Sequence, residues 1–139
     1  MKRKNIVLFA IALLCLLAGF RAYYLYQKPR TTAAEEKTEI TIEAKALYQA
    51  YGSNEQQAGK QFSNKILEVN GIVSEVQAAG NNFSVLLTGD EKTGGGVNCS
   101  ITDKDSDKPV KGQTVKIKGR CTGFLFDVNI SDASIISIQ

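Results

Sequence analysis

From Lys65 onward the chain alternates apolar and polar positions with a period of two, the pattern of strands with one face in a core. In "KILEVNGIVSEVQ", Lys65 to Gln77, Leu67 and Val69 alternate with Glu68 and Asn70. Gly71 interrupts this strand, as a bulge or sharp bend would. "NNFSVLLTG" forms a second strand after a turn at Gly80-Asn81, and its parity assigns Phe83 to the core beside Val85 and Leu87. "GVNCSI" forms a third, with Val97, Cys99 and Ile101 on one face. "QTVKIKGRC" and "FDVNISDASIISI" supply the fourth and fifth. Short strands joined by Gly-rich turns predict a small barrel or sandwich, and a bent first strand favours the five-stranded OB-fold barrel.

Ahead of the strands the period changes. In "TIEAKALYQAY", Leu47, Ala50 and Tyr51 fall at helical spacing, which predicts a short amphipathic helix ending at Gly52. Ser53 and Gln56 have the form of a capping box, with a second helical stretch over Asn54 to Gln61. Pro29 to Thr38, "PRTTAAEEKT", has little to bury and reads as a polar tether.

The first thirty residues are of another kind. Lys2, Arg3 and Lys4 precede an uncharged run from Asn5 to Phe20, followed by Arg21 and by Tyr23, Tyr24 and Tyr26. Ile6 to Tyr26 is 21 residues, or about 31 Å of helix, the thickness of a bilayer core. Arg21 is placed to snorkel and the tyrosines to sit at the interface. Signal-peptidase cleavage needs small residues at −3 and −1. Cutting after Ala18 or Ala22 puts Leu16 or Phe20 at −3. Lipoprotein processing at Cys15 meets Leu14 where a small residue belongs. An uncleaved signal anchor through residues 5–26 is the reading that remains. The basic N-terminus then leaves the rest of the chain outside the cytoplasm, in the periplasm. The expected divisions are an anchor over 1–28, a tether over 29–40 and an OB-fold domain with leading helices over 41–139.

This split changes the charge argument. The whole chain is +3, yet six of its 17 lysines and arginines precede Thr31. The remaining 11 face 14 acidic residues, a net of −3. Nucleic-acid binders ordinarily carry a basic domain, so nucleic acid is disfavoured as a partner.

The candidate chemistry is sparse. "GDEKTGG", Gly89 to Gly95, has the glycine frame of a phosphate loop, but Gly95-Gly96 stand where Lys and Ser/Thr are required. "DKDSD" spaces Asp103, Asp105 and Asp107 like a calcium loop, but Lys108 replaces the turn glycine and Thr114 the bidentate Glu. The chain has no histidine, the commonest general base and metal ligand. No catalytic residue, metal or cofactor is expected.

Cys99 and Cys121 share inward parity, and an oxidising compartment permits a bridge between them. It would close a loop of about 23 residues and contribute on the order of 3 kcal/mol. Two buried thiols are the alternative. Lys116, Lys118 and Arg120 lie on the outer face of their strand, and with Phe124 they form the candidate ligand face. Period two alone also explains that face, since one side packs inward and the other meets water.

The segments "LYQAYGSNEQQAGKQFSNKILEVNGIVSEV", "GVNCSI", "KGQTVKIKGRCTGF" and "DVNISDASI" together resemble the tRNA-anticodon-binding-like OB-fold family. The resemblance covers about Ala44 to Ile136 and implies a small, often membrane-anchored or lipoprotein OB-fold domain. It implies no catalytic residues and no demonstrated tRNA binding. An extracytoplasmic module binding a protein partner or envelope component is the expected function. The alternative is an oligosaccharide- or nucleic-acid-binding domain using the groove over its second and third strands.

Overall fold

The computed structural model describes residues 2–27, 32–80, 82–103 and 106–139, and it separates into two units, Met1–Arg30 and Thr31–Gln139. The first holds α1 (Lys2–Gln27). Its stretch Lys4–Gln27 is, among the described residues, the one helix long and apolar enough to cross a membrane. Its large apolar side chains are all exposed.

The second unit runs β1 (Ile40–Glu43), α2 (Ala44–Ser53), α3 (Glu55–Phe62), β2 (Ile66–Ala79), β3 (Asn82–Thr88), β4 (Gly96–Ile101), β5 (Thr114–Phe124) and β6 (Val128–Ile138). The strand order is β1-β2-β3-β4-β6-β5, and pairing of β5 back to β2 closes a five-stranded OB-like barrel with β1 as a sixth strand. Closure depends on β2 serving two partners. Ile66–Ile72 pair with β5, and from Val73 onward the strand pairs with β3. The inward parity holds along each strand, burying Val69, Val85, Val97, Ile117 and Ile130 in one core. Leu47 and Tyr51 of α2 and Phe62 of α3 belong to the same core.

Several local expectations are corrected. The bend does not place a bulge at Gly71, whose neighbours pair in register with β5; the irregularity falls between Val73 and Glu75. Gly71 has another purpose. A Cβ there would lie 2.8 Å from Cβ of Ala44 and 3.1 Å from Cβ of Leu87, so glycine lets α2 approach the sheet. The helix cap is Asn54, not Ser53: its side-chain oxygen accepts from the Gln57 amide at 3.0 Å. α2 therefore extends through Gly52 to Ser53. Ile40–Glu43, at the boundary between expected tether and expected helix, is a strand parallel to β2. In the predicted turn Gly80 has φ 63°, while Asn81 lies outside the described residues.

Candidate functional site

The three cations of β5 share the outer face of the strand and are each engaged. Lys116 pairs with Glu68 at 3.1 Å. Lys118 donates from Nζ to the carbonyl of Ala34 at 3.1 Å and to that of Glu36. Arg120 meets the Glu36 carboxylate at 2.6 Å and donates to the Asn64 carbonyl at 3.1 Å. The segment expected to be a free tether is thus a strap across β5 from Thr32 to Glu39. Ala33 is fully buried, and its amide donates to Asp132 at 2.8 Å. At the other end the Glu39 amide donates to the Ile66 carbonyl at 2.9 Å, and the Ile66 amide donates to the Glu39 carboxylate at 3.2 Å. The chain's own acidic segment already occupies two of the three cations in the candidate ligand face.

Phe124, the fourth member of that face, lies elsewhere. Its ring stacks on Tyr51 with centroids 5.7 Å apart and meets Tyr48 edge-on at 6.0 Å. Phe83 is core, with the Lys108 ammonium 5.5 Å from its ring centroid. The apolar surface of this end is instead supplied by the residues that follow Phe124. Leu125 is 80% exposed and Phe126 90% exposed at the tip between β5 and β6.

The glycines of the β3–β4 hairpin have a structural explanation. A Cβ on Gly89 would come within 2.6 Å of the Tyr48 ring, and one on Gly95 within 2.3 Å of its hydroxyl. They form a cradle for Tyr48 of α2, and no phosphate is needed to account for them. Of the aspartates in the "DKDSD" loop, Asp105 lies outside the described residues, as does Lys104. No cluster of three metal-ligating side chains occurs among the described residues.

Cys99 and Cys121 are free, buried thiols. Both point inward, as their parity requires, but β6 runs between them: each is registered against Ile130, from opposite sides. Two strand spacings are roughly 9 Å, beyond the reach of about 7 Å that a disulfide allows between Cα atoms. The bridge is therefore replaced by a different contact. The Tyr51 hydroxyl lies 3.4 Å from Sγ of Cys121 and 3.3 Å from Oγ of Ser63. Burial, reinforced by the Cys121 contact, pushes the Tyr51 hydroxyl up to about 12. Burial also raises the Cys99 thiol, with a smaller contribution from Cys121.

Both groups are held in their protonated forms by the fold. Their stabilising effect is complete below the ordinary thiol value of 9.0 and is lost as pH rises above it. Native protein should lose stability at alkaline pH, and the full burial of Cys99 and Cys121 should protect both from alkylation near neutral pH. Denaturation without reductant should expose both to alkylation, as mass analysis would show. A pair that stays unmodified after full denaturation would mean that a bridge exists.

Beside Tyr51 opens a cleft of about 410 Å³ between the helices and the β5–β6 end. One wall is Glu55 and Gly59, four residues apart on one face of α3, with Ser63 at the C-cap that follows. The other includes Thr122, Phe124, Leu125 and Asn129. Sequence reasoning passed over Glu55, Gly59, Ser63, Leu125 and Asn129 as site residues. The four-residue spacing was visible, and so was an apolar pair in a turn where polar residues are usual. What joins the two walls is tertiary.

Comparison with known proteins agrees with this architecture. A solved structure described as a "putative nucleic acid-binding lipoprotein" from Klebsiella pneumoniae subsp. pneumoniae MGH 78578 superposes with a TM-score of 0.56 at 14% identity. The match covers 69% of this chain and 91% of that one. No curated protein matches the chain. The tRNA_anti-like family model matches residues 1–134, and by that match the chain belongs to the tRNA_anti-like family.

Proposed function

We propose that the protein is a membrane-anchored, extracytoplasmic binding module that engages a protein partner through the β5–β6 end of its barrel. The observation that carries this reading is the exposure of Leu125 and Phe126, two large apolar side chains at a tip that the fold does not require to be apolar. Exposed apolar side chains grouped beside a cleft are a recurrent feature of protein recognition surfaces. The anchor reading is supported by α1 and by Lys2, Arg3 and Lys4 ahead of its apolar run. We include no catalytic role, since the chain has no histidine and no nucleophile–base pair is evident in its sequence.

The description of the Klebsiella neighbour raises a second reading, binding of single-stranded nucleic acid. Three features weigh against it here. The chain from Thr31 is net −3, so counterion release offers little sequence-independent affinity. Lys118 and Arg120 are held by the strap. Stacking of successive bases needs several exposed rings, whereas Phe83, Tyr51 and Phe62 are buried and Phe126 is the one strongly exposed ring among the described residues of the barrel unit.

The test is a photo-crosslinking residue in place of Phe126, with irradiation in native membranes. A discrete protein adduct, absent when the probe replaces the exposed Thr41 of β1, is expected. Adducts of equal yield at both positions, or none, would remove the partner reading. In parallel, fluorescence anisotropy with labelled single-stranded DNA and RNA should show no binding at physiological salt. Salt-sensitive micromolar binding lost on changing Lys116, Lys118 and Arg120 to Ala would favour nucleic acid instead.

A further inference from the structure

The geometry points to a more specific occupant for the cleft: we infer that it receives a lysine or arginine side chain of the partner protein, with Glu55 as counter-charge. This rests on the protein-partner reading and adds the chemistry of the contact. Three observations carry it.

The first is charge. Glu55 is the single ionic side chain lining the cleft, and no lysine or arginine lines it. Among the described residues the Glu55 carboxylate makes no hydrogen bond or ion pair within the chain. A phosphate or carboxylate ligand would meet repulsion there, and a purely apolar ligand would make no use of the charge, which faces water. A cation answers both objections.

The second is the surface around that charge. The side chains of Phe124 and Leu125 line the cleft with Glu55, above the buried ring of Tyr51. A long aliphatic stem ending in a cationic group suits this combination: the stem lies along the apolar surface of Phe124 and Leu125, and the head meets the carboxylate. Ser63 and Asn129 add oxygen acceptors for the N–H donors of an ammonium or guanidinium.

The third is Gly59. It lies inside the eight-residue helix α3, where glycine is unfavourable relative to alanine. Its backbone is not in the left-handed region, and a Cβ built there would meet nothing nearer than Oγ of Ser63 at 3.8 Å. Neither packing nor conformation calls for glycine. Yet Gly59 lines the cleft, one turn from Glu55 and one from Ser63. Its missing side chain widens the opening at the cost of helix stability, which is intelligible if the space is used. Gly123 on the opposite wall differs, because its φ of 124° requires glycine outright.

The test uses the full-length protein in detergent micelles, following the amide resonances of Gly59 and Gly123 by NMR. N-acetyl-arginine amide is titrated in, with N-acetyl-glutamate amide and glucosamine as comparison ligands. The expected result is a saturable shift of both resonances with the arginine derivative alone. Glu55→Gln, a change at an exposed position, should weaken that affinity about tenfold. Gly59→Ala should melt at an equal or higher temperature and still lose the saturable shift, which separates a filled cleft from a damaged fold. Absence of saturation with the arginine derivative, equal shifts with the glutamate derivative, saturation by glucosamine alone, or an unchanged affinity in Glu55→Gln would each overturn the inference. The two proposals fail separately. Partner capture at position 126 with no arginine titration sinks the cleft assignment alone, and an intact titration with no capture sinks the partner reading and leaves a cation-binding cleft without a protein ligand.

Discussion

Gly96→Ala should be among the most destabilising single changes in the barrel. A Cβ at this position would fall 1.8 Å from the carbonyl oxygen of Leu87 and 3.0 Å from the amide nitrogen of Gly89. Both are backbone atoms, so no rotamer change relieves the collision. Shifting β4 outward would strain the hydrogen bond from the Gly96 amide to Asp127 at 2.7 Å, which ties this strand to the β5–β6 turn. It would also displace Val97, fully buried and paired with both Leu87 and Val128. Overpacking against an immobile backbone should cost on the order of 3 kcal/mol or more. At roughly 4–8 °C per kcal/mol for a domain of this size, the melting temperature should fall by at least about 12 °C. Gly52→Ala is the contrasting variant. It lies in α2 with nothing within 4 Å of a new Cβ and no positive φ, so it should raise stability by about 0.5–1 kcal/mol. A Gly96→Ala protein that melts within a few degrees of the parent would show that the β3–β4 ladder yields more easily than this contact implies.

Gly96 also illustrates what was legible in the sequence. Period two located the five barrel strands, because each buries one face and each face reads out in alternate letters. It assigned Val97 and Cys99 inward without any knowledge of neighbours. It carried no information about which strand lies beside which. The Cys99–Cys121 question turned on that: their parity is shared, but Ile130 stands between them because β6 inserts between β4 and β5. Short or polar elements were harder still. β1 is four residues long and pairs in parallel with a strand that begins more than twenty residues later. The strap is held by backbone carbonyls accepting from Lys118, by the Glu36–Arg120 ion pair and by hydrogen bonds at Ala33 and Glu39, with Ala33 its one buried apolar side chain. Neither leaves a hydrophobic period to detect. The cleft was half visible, since Glu55 and Gly59 mark one helix face, whereas its second wall arrives only when β5 folds back across α3.

Deleting residues 2–27 should convert the protein from fully membrane-bound to fully soluble while leaving the melting of the barrel unchanged. Between Ile6 and Phe20 the chain has ten Leu, Ile, Val or Phe residues. At roughly 0.3–0.6 kcal/mol each near the centre of a bilayer, they favour insertion by about 3–6 kcal/mol. Arg21 would oppose this by about 3 kcal/mol at the midplane, but it lies in the last third of the Ile6 to Tyr26 span rather than at its centre, where its long side chain reaches toward the interface. The balance therefore favours insertion, with α1 long enough at 26 residues to span the hydrocarbon layer. The barrel should not notice the loss, because its core is drawn from Ala44 to Ala133 and includes no residue of α1. The proposed orientation rests on Lys2, Arg3 and Lys4, three cations ahead of the apolar run that favour retention of that end in the cytoplasm. A reporter fused after Gln139 should then be active outside the cytoplasm, and full-length protein should stay in the membrane pellet after an alkaline carbonate wash. Release of intact chain by carbonate would refute the anchor, a shorter soluble product would identify α1 as a cleaved signal, and a cytoplasmic reporter would reverse the topology.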